Sequence, residues 1–270
     1  MESTFRNKVI IITGAASGLG KGFAEALAGM GAVLILSDIN EAGVKAVAEA
    51  INAEAYGLDV SDYESVRRLI AETIARHGRL DYMFNNAGFA VAGEVQKIPA
   101  ADWDRIIVVN LNGVVYGTTE AYKAMTQQGF GHIVNTASLA GLIPGPIMVP
   151  YHTVKFAIVG LSRSLRIEAQ DMGVKVTALC PGFIESNIYE SATTVDFGRG
   201  SMRSLVPFKL VKTDVAIDIM LRGIAANKEL VILPRYGKLL WWMVRFYYAQ
   251  VRKLGLKSIR SFRRRRPANV

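Results

Sequence analysis

Tyr151 and Lys155, in the run Pro150-Tyr151-His152-Thr153-Val154-Lys155, stand four residues apart and lead into an apolar, helix-like stretch. On a helix that spacing stacks both side chains on one face. A free phenol titrates near about 10, too high for a base at neutral pH. A fixed ammonium beside it favours the phenolate and draws the phenol towards the range in which general acid–base catalysis operates. Among 10 Tyr and 13 Lys in 270 residues, chance alone supplies such a spacing about half the time. The pair acquires meaning only from its neighbours.

Those neighbours follow from the element pattern. Lys8 to Thr13 reads as a buried strand, followed by Gly14-Ala15-Ala16-Ser17-Gly18-Leu19-Gly20 and an Ala/Leu-rich helix to about Gly31. Further strands are expected at Val33–Ser37, Ala55–Leu58, Leu80–Phe84, His132–Ala137, Val174–Leu179 and Leu230–Leu233. Helices are expected over 41–52, from a capping start at Ser61-Asp62-Tyr63-Glu64 to about His77, in two stretches over 100–128, and over 151–172 and 213–226. This alternation predicts a single α/β domain over 1–234 with a doubly wound parallel sheet. The unusual residues then fall at strand ends. The glycine run follows the first strand, Asp38 the second, Asp59 the third, Asn85-Asn86-Ala87-Gly88 the fourth, Ser138 the fifth and Pro181-Gly182 the sixth. Right-handed crossovers bring all six to one sheet edge, where such folds bind ligands.

Glycines at 14, 18 and 20 permit a sharp turn and bring backbone N–H groups and a helix start towards a pyrophosphate. The spacing is G-x-x-x-G-x-G rather than G-x-G-x-x-G, and glycine runs also make ordinary turns; the placement between strand and helix selects the nucleotide reading. Asp38 suits the hydroxyls of an adenosine ribose and would repel a 2′-phosphate, and its neighbours Ser37, Ile39 and Asn40 are uncharged. That favours NAD over NADP. The competing reading is that Asp38 merely caps the next helix.

The length and the 51% hydrophobic composition allow one sizeable core. A lone cysteine, Cys180, excludes an internal disulfide and suits a reducing, cytoplasmic setting. Histidines 77, 132 and 152 lack ligand spacing, so no metal is expected. The first apolar run, Val9 to Ile12, is too short for a signal-peptide core. The net charge of +9 is local. Residues 1–234 carry 21 basic and 23 acidic side chains, whereas 235–270 carry 11 basic and no acidic ones.

Thr13-Gly14-x-x-x-Gly18-x-Gly20, Asn85-Asn86-Ala87-Gly88, Asn110, Ser138, Tyr151-x-x-x-Lys155 and Pro181-Gly182 together resemble the short-chain dehydrogenase/reductase family over about residues 6–234. The resemblance implies a Rossmann-type sheet of about seven strands and reversible hydride transfer between a nicotinamide cofactor and an alcohol or carbonyl. It further implies that Tyr151 exchanges the proton with the substrate oxygen and that Lys155 lowers its pKa and holds the nicotinamide ribose. Ser138 would bond the substrate oxygen, and Asn110, disturbing its helix, would hold a water that links Lys155 to solvent. Asn110 and the nearby Asn112 also suit plain capping or packing. The implied cofactor contacts are Gly14, Ser17, Gly18, Leu19 and Gly20; Asp38; Asp59 and Val60; Asn86, Ala87 and Gly88; Tyr151 and Lys155; and Pro181, Gly182, Ile184 and Ser186, the last standing where the family often has Thr. His152 is read as structural. Family members usually form dimers or tetramers, so a homodimer or homotetramer is expected.

Segment 183–212 is expected to be a substrate lid, long and rich in apolar residues such as Phe183, Ile188, Tyr189, Phe197 and Phe208. With Leu142, Ile143, Ile147, Met148 and Val149 as the facing wall, the substrate is expected to be a lipophilic alcohol or ketone of lipid metabolism, of steroid, retinoid or long-chain type. The alternatives are a 3-oxoacyl-thioester reductase of the same family and a non-catalytic nucleotide-binding scaffold. Residues 235–270 form a basic aromatic extension. Treated as one helix, Lys238, Arg245, Arg252, Lys253, Lys257, Arg260 and Arg263 share a sector of roughly 140°, opposite aromatics and Leu. A helix of that kind suits peripheral contact with anionic lipid through 238–266. The pattern also fits an oligomer-packing helix or an arginine patch at Arg263–Arg266, although no nucleic-acid partner is expected.

Overall fold

The computed structural model describes residues 1–185, 192–195 and 210–265. A short helix, α1 (Glu2–Phe5), precedes the sheet and buries Phe5 against Tyr82, with ring centroids 5.3 Å apart. The strands are β1 (Val9–Thr13), β2 (Val33–Asp38), β3 (Glu54–Gly57), β4 (Tyr82–Asn85), β5 (Val91–Ala92), β6 (Gly131–Thr136), β7 (Val174–Pro181), β8 (Thr193–Thr194) and β9 (Leu230–Leu233). Seven of them make one parallel sheet in the order β3-β2-β1-β4-β6-β7-β9, and β5 and β8 pair as a separate two-stranded ribbon. All seven sheet strands expected from the sequence form.

Every residue of β1 is buried, because helices cover both faces of a parallel sheet. Alternate residues serve opposite faces. Ile10 and Ile12 join Phe23 and Leu27 of α2 (Gly18–Ala28), while Val9 and Ile11 join Leu69 and Ile70 of α4 (Tyr63–His77). Asp62 caps α4 by accepting from the Glu64 N–H at 3.1 Å, and Gly78 (φ 72°) ends it in the left-handed conformation. Between them in sequence, α3 (Glu41–Ile51) supports the β2–β3 crossover.

The region 100–128 contains two helices, α5 (Ala100–Ile107) and α6 (Gly113–Gln128), as expected. One π-helical turn, Val108–Asn112, joins them and carries Asn110 at its centre. Helix α7 (Val149–Glu168) follows the Ser138 loop, and α8 (Thr213–Ala225) leads to β9.

The tail departs from expectation. It is two helices, α9 (Tyr236–Phe246) and α10 (Tyr248–Arg265), broken at Tyr247 (φ −134°, ψ 43°). A straight helix would carry its apolar stripe away from the body. The break turns α10 back, so that Phe262 is buried and Ile259 packs against the body beside β5 and α7. Lys238, Arg245, Arg252, Lys253, Lys257, Arg260 and Arg263 are all exposed, and so are Trp242, Phe246, Tyr247 and Tyr248, so the single cationic face of one continuous helix does not form.

Candidate active site

A cleft of about 860 Å³ runs along the carboxyl ends of the strands. One half is made largely of backbone. Gly14 leaves β1 at φ +69°, where a Cβ would lie 2.7 Å from the Ala87 Cα. A Cβ on Gly20 would lie 2.0 Å from the Gly14 carbonyl oxygen, so the first turn of α2 lies against its own entry loop only because it has no side chain there. Ser17 is the N-cap of α2, but its side chain caps nothing and the first turn has no acidic residue. The N–H groups at this helix start are therefore available to an anion in the cleft, which Ser17, Gly18 and Leu19 line.

Side chains fix this half in place. The Thr13 hydroxyl accepts from the Asn86 and Ala87 N–H groups (3.0 and 3.1 Å), and the Asn86 carboxamide donates to the Thr13 carbonyl at 3.0 Å. Asp38 accepts from the Ala16 N–H at 3.0 Å and from the Asn40 N–H at 2.9 Å. It does not cap α3, because Asn40 does so by accepting from the Gly43 N–H at 3.0 Å. Asp38 thus braces the glycine loop, and a carboxylate has about four acceptor sites, so others stay open. Asp59 accepts from the Ser61 N–H and hydroxyl, and Val60 packs on Gly113, where a Cβ would come within 2.8 Å of it. Asp38, Asp59, Val60, Asn86, Ala87 and Gly88 all line the cleft.

The other half presents Ser138, Tyr151 and Lys155 together on the wall, with Pro181, Gly182 and Ile184 beside them. The Ser138 hydroxyl donates to the Pro181 carbonyl at 3.2 Å and accepts from the Ala140 N–H at 3.1 Å. Lys155 is buried and donates to the Thr136 carbonyl at 2.7 Å, with its ammonium 5.5 Å from the centroid of the Tyr151 ring. Burial pushes the Tyr151 phenol up to about 12, against a smaller lowering by its hydrogen bond with Ser138. Burial likewise pushes Lys155 down to about 8. The sequence expectation that Lys155 lowers the Tyr151 pKa is not met: the ammonium is held by Thr136, and desolvation of the phenolate dominates.

Asn110 is fully buried, and its side chain bridges Phe89, accepting from the N–H at 3.0 Å and donating to the carbonyl at 2.7 Å. These two bonds hold the strand-four loop beside Gly88. Asn85 turns away from the cleft into a buried network, donating to the Asn135 carboxamide at 2.8 Å. His152 lines the cleft as well; its Nδ1 pairs with the Ala140 carbonyl at 2.8 Å, which braces the Ser138 loop, and burial lowers its pKa. Ser186 lies outside the described residues, as does most of segment 183–212, including Ile188, Tyr189, Phe197 and Phe208; Phe183 and Ile184 line the cleft.

Sequence reasoning missed four contributors. Thr136 offers only its carbonyl, which carries no sequence signature. Arg105, stacked 4.6 Å over the Phe89 ring, lines the cleft from α5. Leu240 and Ser258 reach the cleft from the tail. A period of three to four in Val251, Gly255, Ile259 and Phe262 was the only local signal for the tail residues.

The model of the short chain dehydrogenase family matches residues 8–195. The chain is 35% identical over 243 residues to a probable oxidoreductase, EphD, of Mycobacterium bovis; the match covers 84% of this chain and 41% of that protein. It thus spans about two-fifths of the length of that relative. Among solved structures, a short chain dehydrogenase/reductase from Burkholderia phymatum in complex with NAD superposes with a TM-score of 0.81 at 28% identity, covering 93% of this chain and 96% of that one. A 3-ketoacyl-(acyl-carrier-protein) reductase from Brucella melitensis complexed with NADH gives 0.75 at 26% identity, covering 83% and 95%. The chain belongs to the short-chain dehydrogenase family of oxidoreductases.

Proposed function

We propose that this protein is an NAD(H)-dependent oxidoreductase that interconverts an alcohol and a carbonyl on a lipophilic small molecule. The observation that carries the reading is the convergence of Ser138, Tyr151 and Lys155 in one cleft with the glycine loop and Asp38. The family assignment and the NAD and NADH complexes of its structural neighbours support it. When bound, the nicotinamide supplies or accepts the hydride. The open helix start at Ser17–Gly20 fits a pyrophosphate, Asp38 the ribose hydroxyls, Asp59 and Val60 the adenine, and Asn86–Gly88 the cofactor's path along the cleft. Pro181, Gly182 and Ile184 suit the nicotinamide end, and Lys155 its ribose.

The chain's own residues then handle the proton. Ser138 holds the substrate oxygen beside the Tyr151 phenol. The phenol gives its proton to that oxygen in carbonyl reduction, leaving the phenolate, and in alcohol oxidation the phenolate takes the hydroxyl proton and becomes the phenol again. Burial, by favouring the neutral phenol, suits Tyr151 to the proton-donating role. Asn110 keeps the loop before Ala90 in place through Phe89. Tyr151→Phe tests the assignment: turnover should fall about 10²- to 10⁴-fold, the usual share of a positioned acid–base group, with NADH binding retained. Unchanged turnover would sink the mechanism and favour a nucleotide-binding scaffold. A 3-oxoacyl-thioester reductase is the second reading, supported by the structural neighbour that binds NADH; turnover of acetoacetyl thioesters in preference to plain ketones would select it.

Peripheral attachment to a lipid surface belongs to the same proposal. No helix among the described residues is long and apolar enough to cross a membrane. The tail exposes Leu239, Trp242, Phe246, Tyr247, Tyr248 and Leu254 among its cations, a combination suited to an anionic interface. On vesicles containing phosphatidylserine, the full-length protein should sediment, and Trp242→Ala/Phe246→Ala should release most of it. Equal binding by both proteins would exclude this face as the anchor. Homodimeric or homotetrameric assembly is also proposed, with exposed Phe156 and Ile167 of α7 as apolar surface open to a second copy.

A further inference from the structure

We infer that the C-terminal helical hairpin is the outer wall of the substrate pocket and sets which substrates fit. This rests on the reading of the cleft as an alcohol/carbonyl site. The hairpin lies beyond residues 8–195, the part of the chain that the family model matches. It packs on the Ser138–Met148 segment, the substrate side of the cleft. Trp241 packs into the cluster of Leu139, Leu142 and Cys180, and a Cβ on Gly237 would touch Leu139 at 3.1 Å. A Cβ on Gly255 of α10 would lie 3.9 Å from Pro146.

From that position Leu240 and Ser258 line the cleft, and Phe262 is buried in the same cluster as Tyr151 and Ile147. An ion pair fastens the far end: Arg263 Nε and Nη2 reach Glu94 Oε2 at 2.9 and 2.6 Å, beyond β5. The Glu94 side chain is 8% exposed and Arg263 58%, so the contact is anchored on the body side and open to water on the hairpin side. The hairpin therefore touches the wall that carries Ser138, the helix that carries Tyr151 and the loop after β5. An apolar substrate that fills the cleft beside Tyr151 shares it with Leu240 and Ser258.

Ser258→Cys in the full-length protein tests this. Ser258 is exposed and Cys180 fully buried, so the variant has one accessible thiol. Cyclooctanol at about four times its Kd should slow N-ethylmaleimide labelling about fivefold. The adduct should raise the KM for cyclooctanol about tenfold relative to that for cyclopentanol, the scale of a few apolar groups in a pocket. Labelling that ignores cyclooctanol, or an unchanged KM ratio, would overturn the wall. Protection without turnover of either alcohol would support the wall and instead overturn the oxidoreductase reading.

Discussion

The glycine-loop half of the cleft and its substrate half are built on different plans. The first is backbone held by short polar links: the Gly14–Gly20 turn, the Thr13 hydroxyl under Asn86 and Ala87, and Asp38 on the Ala16 N–H. Its elements are adjacent strand ends, and its shape depends on side chains being absent. The second half is made of side chains from segments far apart in sequence, namely 138–148, Tyr151, 181–184, Leu240 and Ser258. A half defined by missing Cβ atoms tolerates little change. One walled by apolar side chains can change dimensions while its chemistry persists, so substitutions in the second half should leave cofactor preference intact.

Substitutions directed at each half put that separation to the test, and the largest effect is expected at Gly20. In Gly20→Val the added carbons meet the Gly14 carbonyl, which a Cβ would approach to 2.0 Å. Overpacking against backbone lies at the upper end of about 1–3 kcal/mol or beyond, so NADH affinity should fall more than about a hundredfold. Fluorescence titration of NADH reads this, and undiminished affinity would show that the loop is not the cofactor seat. Asp38→Ser should come next. Removing a like charge from the path of a 2′-phosphate is worth up to several kcal/mol, so the NAD/NADP preference should narrow about ten- to a hundredfold in kcat/KM. A preference that stays fixed would return Asp38 to the single task of bracing Ala16.

The smallest effect concerns stability. Lys155 sits at about 8 against its ordinary 10.5, so between those values the unfolded chain binds more protons than the folded one. Stability from this group must therefore rise with pH across that window and be lost as pH falls towards 8. Urea midpoints of Lys155→Met should be flatter over the same window; a slope equal to the wild type would place the titration elsewhere. Tyr151 acts with the opposite sign above about pH 10, where its raised pKa makes stability fall.

Much of the first half was legible because its signals are local. Glycine marks φ > 0 at Gly14 and Gly18, and runs such as Val9–Ile12 mark buried strands whose ends must align once crossovers are right-handed. The substrate half was legible only in part. Ser138, Tyr151 and Lys155 stood out by spacing, but the Thr136 carbonyl that holds Lys155 belongs to every residue alike. A continuous-helix projection of the tail missed its path, because the break at Tyr247 resets the phase between its two halves.

The sequence by itself determined the order of strands and helices, the crevice at their carboxyl ends and the glycine turn. Periodicity and backbone freedom are properties of neighbours along the chain, which is why these were readable. Only the tertiary structure decided that Asn40 rather than Asp38 caps α3, that burial carries the Tyr151 phenol up to about 12, and that α10 folds back to bury Phe262 beside it. Each of these depends on which distant groups exclude water from a given atom, and that is set by packing.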